Sequence, residues 1–444
     1  MVALTQHTPI GVFPSYETHI VTNNGRRRKG KNRWYSRLLS EGVVSAVLPM
    51  NLNIESMFEN CQTGIRSRDY IDKIAYFINT VCFLLVTKRH KPSDYQEKSS
   101  RVLREVIGNR NDVCPVKQAC IDAGILETDG IYYTKSNENL HGKSYGYRLT
   151  PRYRNKGFKQ HYIDNPGMAG RLGEHRRQRV NQSVLRTPSL EYLCDSLETF
   201  DFTGDTLEYL WQVLQDPTLT EQQKACRLFG WEWLKGYDRN KIFTYSENTG
   251  RLFTNITLLA KDLRSRLTID GEPTAEIDLG NSQPYLIASR FKPGTPEIDH
   301  LHEVVSNGQF YETLNEVLDQ PYQDRGKLKV DCYRKIFFNN QAGDNHPLCQ
   351  AMWKLWPTVA GEIELWRETP RRTLACNLQR QESSLILEQC VPQIQKEFGC
   401  PIATVHDSFV VPCSKCDAIR DLLREVITEK TGLAPMLKVK GGSK

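Results

Sequence analysis

Two aspartates stand where short strands are expected to end. In Glu276-Ile277-Asp278-Leu279-Gly280-Asn281-Ser282-Gln283-Pro284 a β-rich run closes on a carboxylate, and a turn then leads into a helix starting near Pro284. In Ala403-Thr404-Val405-His406-Asp407-Ser408-Phe409-Val410-Val411 two β-rich runs flank His-Asp-Ser, the pattern of a hairpin with a carboxylate at its tip. If that hairpin pairs beside the first strand, the two carboxylates converge. Such a pair suits Mg²⁺, which prefers oxygen ligands and keeps positions open for phosphate and water, and the chemistry it supports is phosphoryl transfer. Either aspartate alone reads as a turn or cap residue.

Between them, Arg325, Lys329, Tyr333 and Phe337 recur every four residues within Asp324 to Gly343. On an α-helix that spacing drifts only about 40° per step, so two cations and then two aromatics share one face for about 18 Å. The cations can grip a triphosphate, and the ring beyond them offers a stacking surface for a base. Without the aspartates, the same pattern is an ordinary basic amphipathic helix. Thr249-Gly250-Arg251-Leu252 precedes the first strand, and Asn377 and Gln381 lie four apart ahead of a helical run from Glu382 to Gln389.

These segments need a sizeable scaffold, and 444 residues allow two or three domains, each with its own core. Lys and Arg total 59 against 52 Asp and Glu, a net charge of +7. The basic residues cluster at Arg26 to Lys29, Arg171 to Arg179 and Arg325 to Lys335, and local stripes of this kind attract a phosphate backbone. Thirteen cysteines, an odd number without framework spacing, predict reduced thiols in a cytoplasmic protein. Cys413 and Cys416 have CxxC spacing but no second pair of ligands, so no zinc is expected. The longest apolar run, Ile74 to Val86, is broken by Asn79 and Thr80 and falls short of the ~20 residues a bilayer requires. Met1 to Pro9 has neither the basic start nor the apolar core of a secretory signal, and no membrane partner is expected.

Along the chain, residues 1–60 read as a basic N-terminal arm, passing into short helices from Trp34 to Met50. Helices are expected over Tyr70 to Val86, Tyr95 to Ile107 and Val113 to Ala123, followed by strands over Ile125 to Thr134 and Ser144 to Thr150. Three helices and a hairpin in this order resemble a winged helix, placed at residues 61–150, with Lys117, Lys135, Lys143 and Arg148 on the elements that would face DNA. Protein contact is the other use of such a module. Residues 151–189 read as a basic linker, 190–248 as a helical thumb-like region and 249–444 as the domain carrying the chemistry. The fold class expected is α+β, mostly helical.

Asp278, the helix of Arg325, Lys329, Tyr333 and Phe337, and His406-Asp407 together resemble motifs A, B and C of family A (DNA polymerase I-like) DNA polymerases and phage-type single-subunit RNA polymerases. Their order agrees, and the likeness runs from Thr249 to about Leu437. It implies a right-hand palm and fingers domain following the winged-helix-like one. Asp278 and Asp407, with the Leu279 carbonyl, would bind two Mg²⁺ ions, or Mn²⁺ in their place. Arg325 and Lys329 would hold the triphosphate, Lys329 would protonate the leaving pyrophosphate, and Tyr333, Phe337 and Gln283 would border the incoming nucleotide. Arg251, Asn377, Gln381 and His406 would contact primer and template. The partners implied are a DNA template and primer and nucleoside triphosphates.

The chain departs from that pattern in ways that bear on the sugar. Gln283 stands where family A DNA polymerases carry Glu, and Phe337 where both families carry Tyr, with Phe338 and Asn339 after it in place of glycine. Ser408 follows the motif C aspartate as in the RNA polymerases, whereas the bulk of Gln283 favours deoxynucleotides. The functional expectation is a compact template-directed nucleotidyltransferase of phage or mobile-element type, without an editing exonuclease, DNA synthesis being favoured over RNA synthesis or priming. The alternative is a DNA-binding replication initiator or regulator with a degenerate palm.

Overall fold

The computed structural model describes residues 44–59, 68–87, 91–108, 110–134, 142–163, 165–235, 242–339, 341, 343, 345–368 and 374–441. The Arg26 to Lys29 cluster and most of the expected N-terminal arm lie outside the described residues. The chain is a mixed α/β protein in which helices dominate, and it divides into two compact units, Met1–Gln178 with Glu208–Asn240 and Arg179–Leu207 with Lys241–Lys444. No described helix is long and apolar enough to cross a membrane.

The first unit holds β1 (Val44–Pro49), β2 (Gln96–Glu97), β3 (Leu126–Thr128), β4 (Gly146–Leu149) and β5 (Phe158–Ile163). β1 and β5 form an antiparallel ribbon from Val44 opposite Ile163 to Pro49 opposite Phe158. The end of the stretch expected as short helices is therefore a strand, in keeping with the β-branched Val44 and Val47. The helix Arg68–Val86 lies against this ribbon, and Asn79, which interrupts its apolar run, accepts a hydrogen bond from the Val47 N–H at 2.7 Å. The supposed linker at 151–189 is likewise corrected: it supplies β5 and the helix Pro166–Val184, where Arg171 donates to the carbonyls of Val106 and Ile107. Its arginines suggested a solvated arm because sequence alone does not reveal these backbone partners.

The helices Ser100–Ile107 and Arg110–Asp122 follow, beside a three-stranded sheet of order β2-β4-β3. Tyr95 to Ile107 is not all helix: the helix begins only after Ser99, in an extended N-cap conformation, and Gln96-Glu97 joins the sheet as an unexpected third strand. The described cations expected to face DNA are all engaged within the unit, one of them buried and two partly exposed. Lys117 is buried, donating to Ser100 Oγ at 2.8 Å. Lys143 pairs with Asp129 at 2.8 Å, and Arg148 pairs with Glu127 at 2.8 Å while lying over the Tyr95 ring. Lys135 lies outside the described residues.

The second unit is built on β6 (Phe200–Phe202), β7 (Phe243–Tyr245), β8 (Leu252–Thr254), β9 (Leu267–Ile269), β10 (Glu272–Leu279), β11 (Ala403–Val405), β12 (Ser408–Pro412) and β13 (Leu437–Gly441). One sheet runs β11-β12-β10-β9-β6, with β13 also paired to β10. Asp270 and Gly271, at φ +49° and +85°, form the two-residue turn from β9 into β10; both central residues must accept positive φ, which Asp-Gly does at low cost. β10 is then held along both edges, Asp278 standing opposite Ser408 of β12 and Lys438 of β13.

Beyond β10 the helix Ser282–Ala288 is buried at every position. Its Tyr285 hydroxyl bonds the Leu433 carbonyl at 2.5 Å and Thr431 Oγ1 at 2.6 Å, tying the helix to the approach to β13. The helix Arg325–Cys332 continues as a π-helical turn over Tyr333–Phe337, closed by a 2.8 Å bond from the Phe338 N–H to the Tyr333 carbonyl. Buried Arg367 donates to the carbonyls of Lys335 and Ile336, satisfying that helix end, and Phe310, Phe337 and Trp356 form the aromatic core beneath it.

Candidate active site

The hairpin β11–β12 turns in two residues, His406 and Asp407, between Val405 and its partner Ser408. His406 takes φ +57°, unusual for a residue with a side chain, and its ring meets Phe253 edge-on at 5.8 Å. Because Ser408 stands opposite Asp278, and the Leu279 N–H donates to the Asp407 carbonyl at 3.1 Å, the hairpin tip is fixed beside the end of β10. Period-two alternation then puts Glu276 and Asp278 on one face of β10, with Lys438 and Lys440 on the matching face of β13.

These residues line a cleft of about 470 Å³ together with Thr257, Lys261, Arg264, Asn281, Ser282, Arg325 and Lys329. Six cations, Lys261, Arg264, Arg325, Lys329, Lys438 and Lys440, line it against the three carboxylates of Glu276, Asp278 and Asp407. An anion is therefore favoured over most of the cleft and a cation at the aspartate pair. Glu276 is engaged by Arg264 at 3.4 Å and by Ser408 Oγ at 3.2 Å. Asp278 Oδ2 accepts from Lys440 Nζ at 2.6 Å.

Burial raises the Asp407 carboxyl above the usual range, and the charge of Asp278 raises it further, while the Ser282 hydroxyl opposes the shift. Nearby, Glu382 is 1 % exposed and pushed up to about 7, first by burial and then by Asp407, against the pull of Arg251. Arg251 holds Glu382 through two nitrogens, at 2.6 and 3.1 Å. Burial also raises the Tyr333 hydroxyl, with Asp407 and Glu382 adding to the effect. The carboxylates thus crowd one another in a poorly solvated place, a strain that a bound cation would relieve.

Among the described residues, no group of three or more His, Cys, Asp and Glu side chains gathers as a metal cage. Two carboxylates with open positions nevertheless suit Mg²⁺, which commonly takes one or two protein carboxylates and completes its shell with phosphate and water. The donor set at Asp278 and Asp407 fits that ion.

Of the residues singled out in the sequence, Asp278, Leu279, Arg325, Lys329, His406 and Asp407 line this cleft. Arg325 is also bound to Glu312 and lies over the Tyr311 ring at 5.6 Å; Lys329 Nζ stands 5.9 Å from the Tyr311 ring centre and 5.8 Å from that of Tyr333. Tyr333 is half-buried and stacks on Phe338. Phe337, expected to border the incoming nucleotide, must be corrected: at 0 % exposure it belongs to the core with Phe310, so the face shared by Arg325, Lys329, Tyr333 and Phe337 descends from solvent into the interior. Gln283, 2 % exposed, does not line the cleft, where its neighbour Ser282 does. Arg251, Asn377 and Gln381 are also outside the lining; Asn377 is half-buried and Gln381 exposed one turn apart on the helix Leu374–Ser384.

Sequence reasoning missed Lys438, Lys440, Glu276 and Glu382. The first two had a readable signal, since Leu437-Lys438-Val439-Lys440 alternates as a strand does, and Glu276 lies two residues before Asp278. Glu382 had none, because its pairing with Arg251 spans 131 positions.

No protein-family model matches the chain, and no curated protein does. Among solved structures, the POL domain of Pol1 from M. smegmatis, in complex with DNA primer-template and dNTP, is similar at a TM-score of 0.33 and 12% identity, over 82% of this chain and 80% of that one. At that TM-score the likeness carries no functional weight.

Proposed function

We propose that the chain is a template-directed nucleic acid polymerase of the family A and phage-type superfamily, extending a primer with nucleoside triphosphates and favouring deoxynucleotides. One observation carries this reading: Asp278 and Asp407 are brought together by the β10–β12 ladder in a cleft that Arg325 and Lys329 also line. A nuclease could use the aspartates, but it has no need of a cationic helix matched to a triphosphate.

In this reading Asp278, Asp407 and the Leu279 carbonyl would hold two Mg²⁺ ions, whose charge would favour ionisation of the primer 3′-hydroxyl and offset that of the phosphates. The chain's own contribution is alignment. Arg325 and Lys329 bind the β- and γ-phosphates, and Lys329 gives a proton to the pyrophosphate as it leaves. Tyr333 borders the base. Arg251, Asn377, Gln381 and His406 face primer and template, with Arg251 held in place by Glu382. Gln283 is 2 % exposed and outside the cleft lining, so the preference for deoxynucleotides rests on its place in the sequence pattern and not on a contact in the cleft.

For the first unit we propose a winged-helix module, supported by the order of its elements and its β2-β4-β3 sheet. Among the described side chains of its third helix, the exposed ones are Asn111, Cys114, Pro115, Gln118 and Asp122, a polar and apolar mixture suited to protein contact. The test of the polymerase reading is Mg²⁺-dependent extension of a labelled primer on a DNA template, with dNTPs and NTPs supplied separately. Extension supports it. No incorporation from either set, with template still bound, contradicts it.

A further inference from the structure

Lys440 has no counterpart in the chemistry assigned so far, yet its Nζ lies 2.6 Å from Asp278 Oδ2. β13 brings it there. In the ladder Lys438 stands directly across from Asp278 and Lys440 across from Glu276, so both lysines share the carboxylate-bearing face. Glu276 is engaged by Arg264 and Ser408, and Lys440 reaches diagonally to Asp278 instead. The result is an ammonium group in contact with an oxygen that a divalent cation would need. Two cations cannot share that oxygen at contact distance without strong mutual repulsion.

We propose that Lys440 is a built-in counter-ion of Asp278 which a divalent cation must displace, so that β13 sets the metal concentration at which the cleft fills. This rests on the reading of Asp278 and Asp407 as cation ligands. Before the metal arrives, Lys440 offsets the repulsion between the two carboxylates; once displaced, it stays in the cleft as a positive charge available to phosphate. Lys438 adds to the positive field of the cleft without that contact.

The experiment is direct Mn²⁺ binding to the full chain, without nucleotide or nucleic acid, read from the electron paramagnetic resonance signal of the free ion. Wild type is compared with Lys440→Gln, Lys440→Arg, Lys438→Gln and Asp278→Asn. Removing a competing, partly exposed ion pair should tighten Mn²⁺ binding about two- to five-fold in Lys440→Gln. Lys440→Arg should restore the wild-type value, Lys438→Gln should tighten binding less than Lys440→Gln, and Asp278→Asn should weaken it. Unchanged or weaker binding in Lys440→Gln, or equal tightening in Lys438→Gln, overturns the displacement while leaving the metal site intact. Wild-type binding in Asp278→Asn overturns the ligand assignment itself, a separate failure that the lysine variants cannot mimic.

Discussion

The Leu279 N–H donates to the carbonyl of Asp407 at 3.1 Å, so the peptide that follows Asp278 is tied to the second aspartate. The carboxylates are therefore joined by backbone as well as by proximity, and neither can move away without breaking the ladder. Holding Asp407 there requires the left-handed His406 at φ +57°. A β-branched residue is disfavoured in that conformation, whereas Asn tolerates it. His406→Val should lower stability by about 1–2 kcal/mol and His406→Asn by much less, measured as urea midpoints at constant slope. Equal losses would mean that the ring contact with Phe253, rather than the backbone, holds the turn.

Glu382 gives the fold a pH dependence of predictable sign. Its carboxyl ionises near 4.5 in an unfolded chain but only at about 7 in the folded one. Folding therefore favours the protonated form: the stabilisation is complete below about pH 4.5 and is lost as pH rises through 7, up to roughly 3 kcal/mol for a shift of this size. Asp407 shifts in the same direction. Thermal melts from pH 5 to 8 should show Glu382→Gln losing less stability with rising pH than wild type. Parallel curves would rule out this ionisation.

Arg325 and Lys329 should matter to nucleotide more than to template. Replacing either with Ala removes one charged contact to phosphate, worth about 1.5–3 kcal/mol, so KM for nucleotide should rise on the order of ten- to a hundred-fold. Lys329→Ala should lower kcat as well, because in the proposed mechanism Lys329 also supplies the proton to pyrophosphate. Fluorescence anisotropy of a labelled primer-template should show its affinity nearly unchanged. A large loss there would reassign the helix to the nucleic acid backbone.

The strand, turn and helix around Asp278 and the hairpin around Asp407 were legible because their signals are local: β-rich runs, a turn pair and period two. β2 was not, since two residues beside a helix start carry little pattern, and neither was β6, whose Phe200-Asp201-Phe202 gains meaning only by pairing with β9. Arg171 misled for the same reason, its carbonyl partners being 65 and 64 positions away. In the cleft, the spacing of Arg325, Lys329, Tyr333 and Phe337 located the helix but could not show where its face dips into the core.

Phe337 makes that last difference measurable. As a fully buried ring packed with Phe310 and Tyr333, it should contribute to folding, and Phe337→Ala should cost about 3–5 kcal/mol. Phe337→Leu should keep most of that stability and leave KM for nucleotide near wild type. A raised KM in a stably folded Phe337→Leu protein would return the residue to the nucleotide site.

The most direct test is single-nucleotide primer extension with Mg²⁺ by wild type, Asp278→Asn and Asp407→Asn, with primer-template binding measured on the same samples. Wild type should incorporate the templated nucleotide, and each variant should lose at least about a thousand-fold in rate while binding DNA nearly as well, since the proposed mechanism has the aspartates serve the transition state rather than the backbone. Wild type that binds but never incorporates, or an aspartate variant that extends at the wild-type rate, would contradict a polymerase centred on this pair.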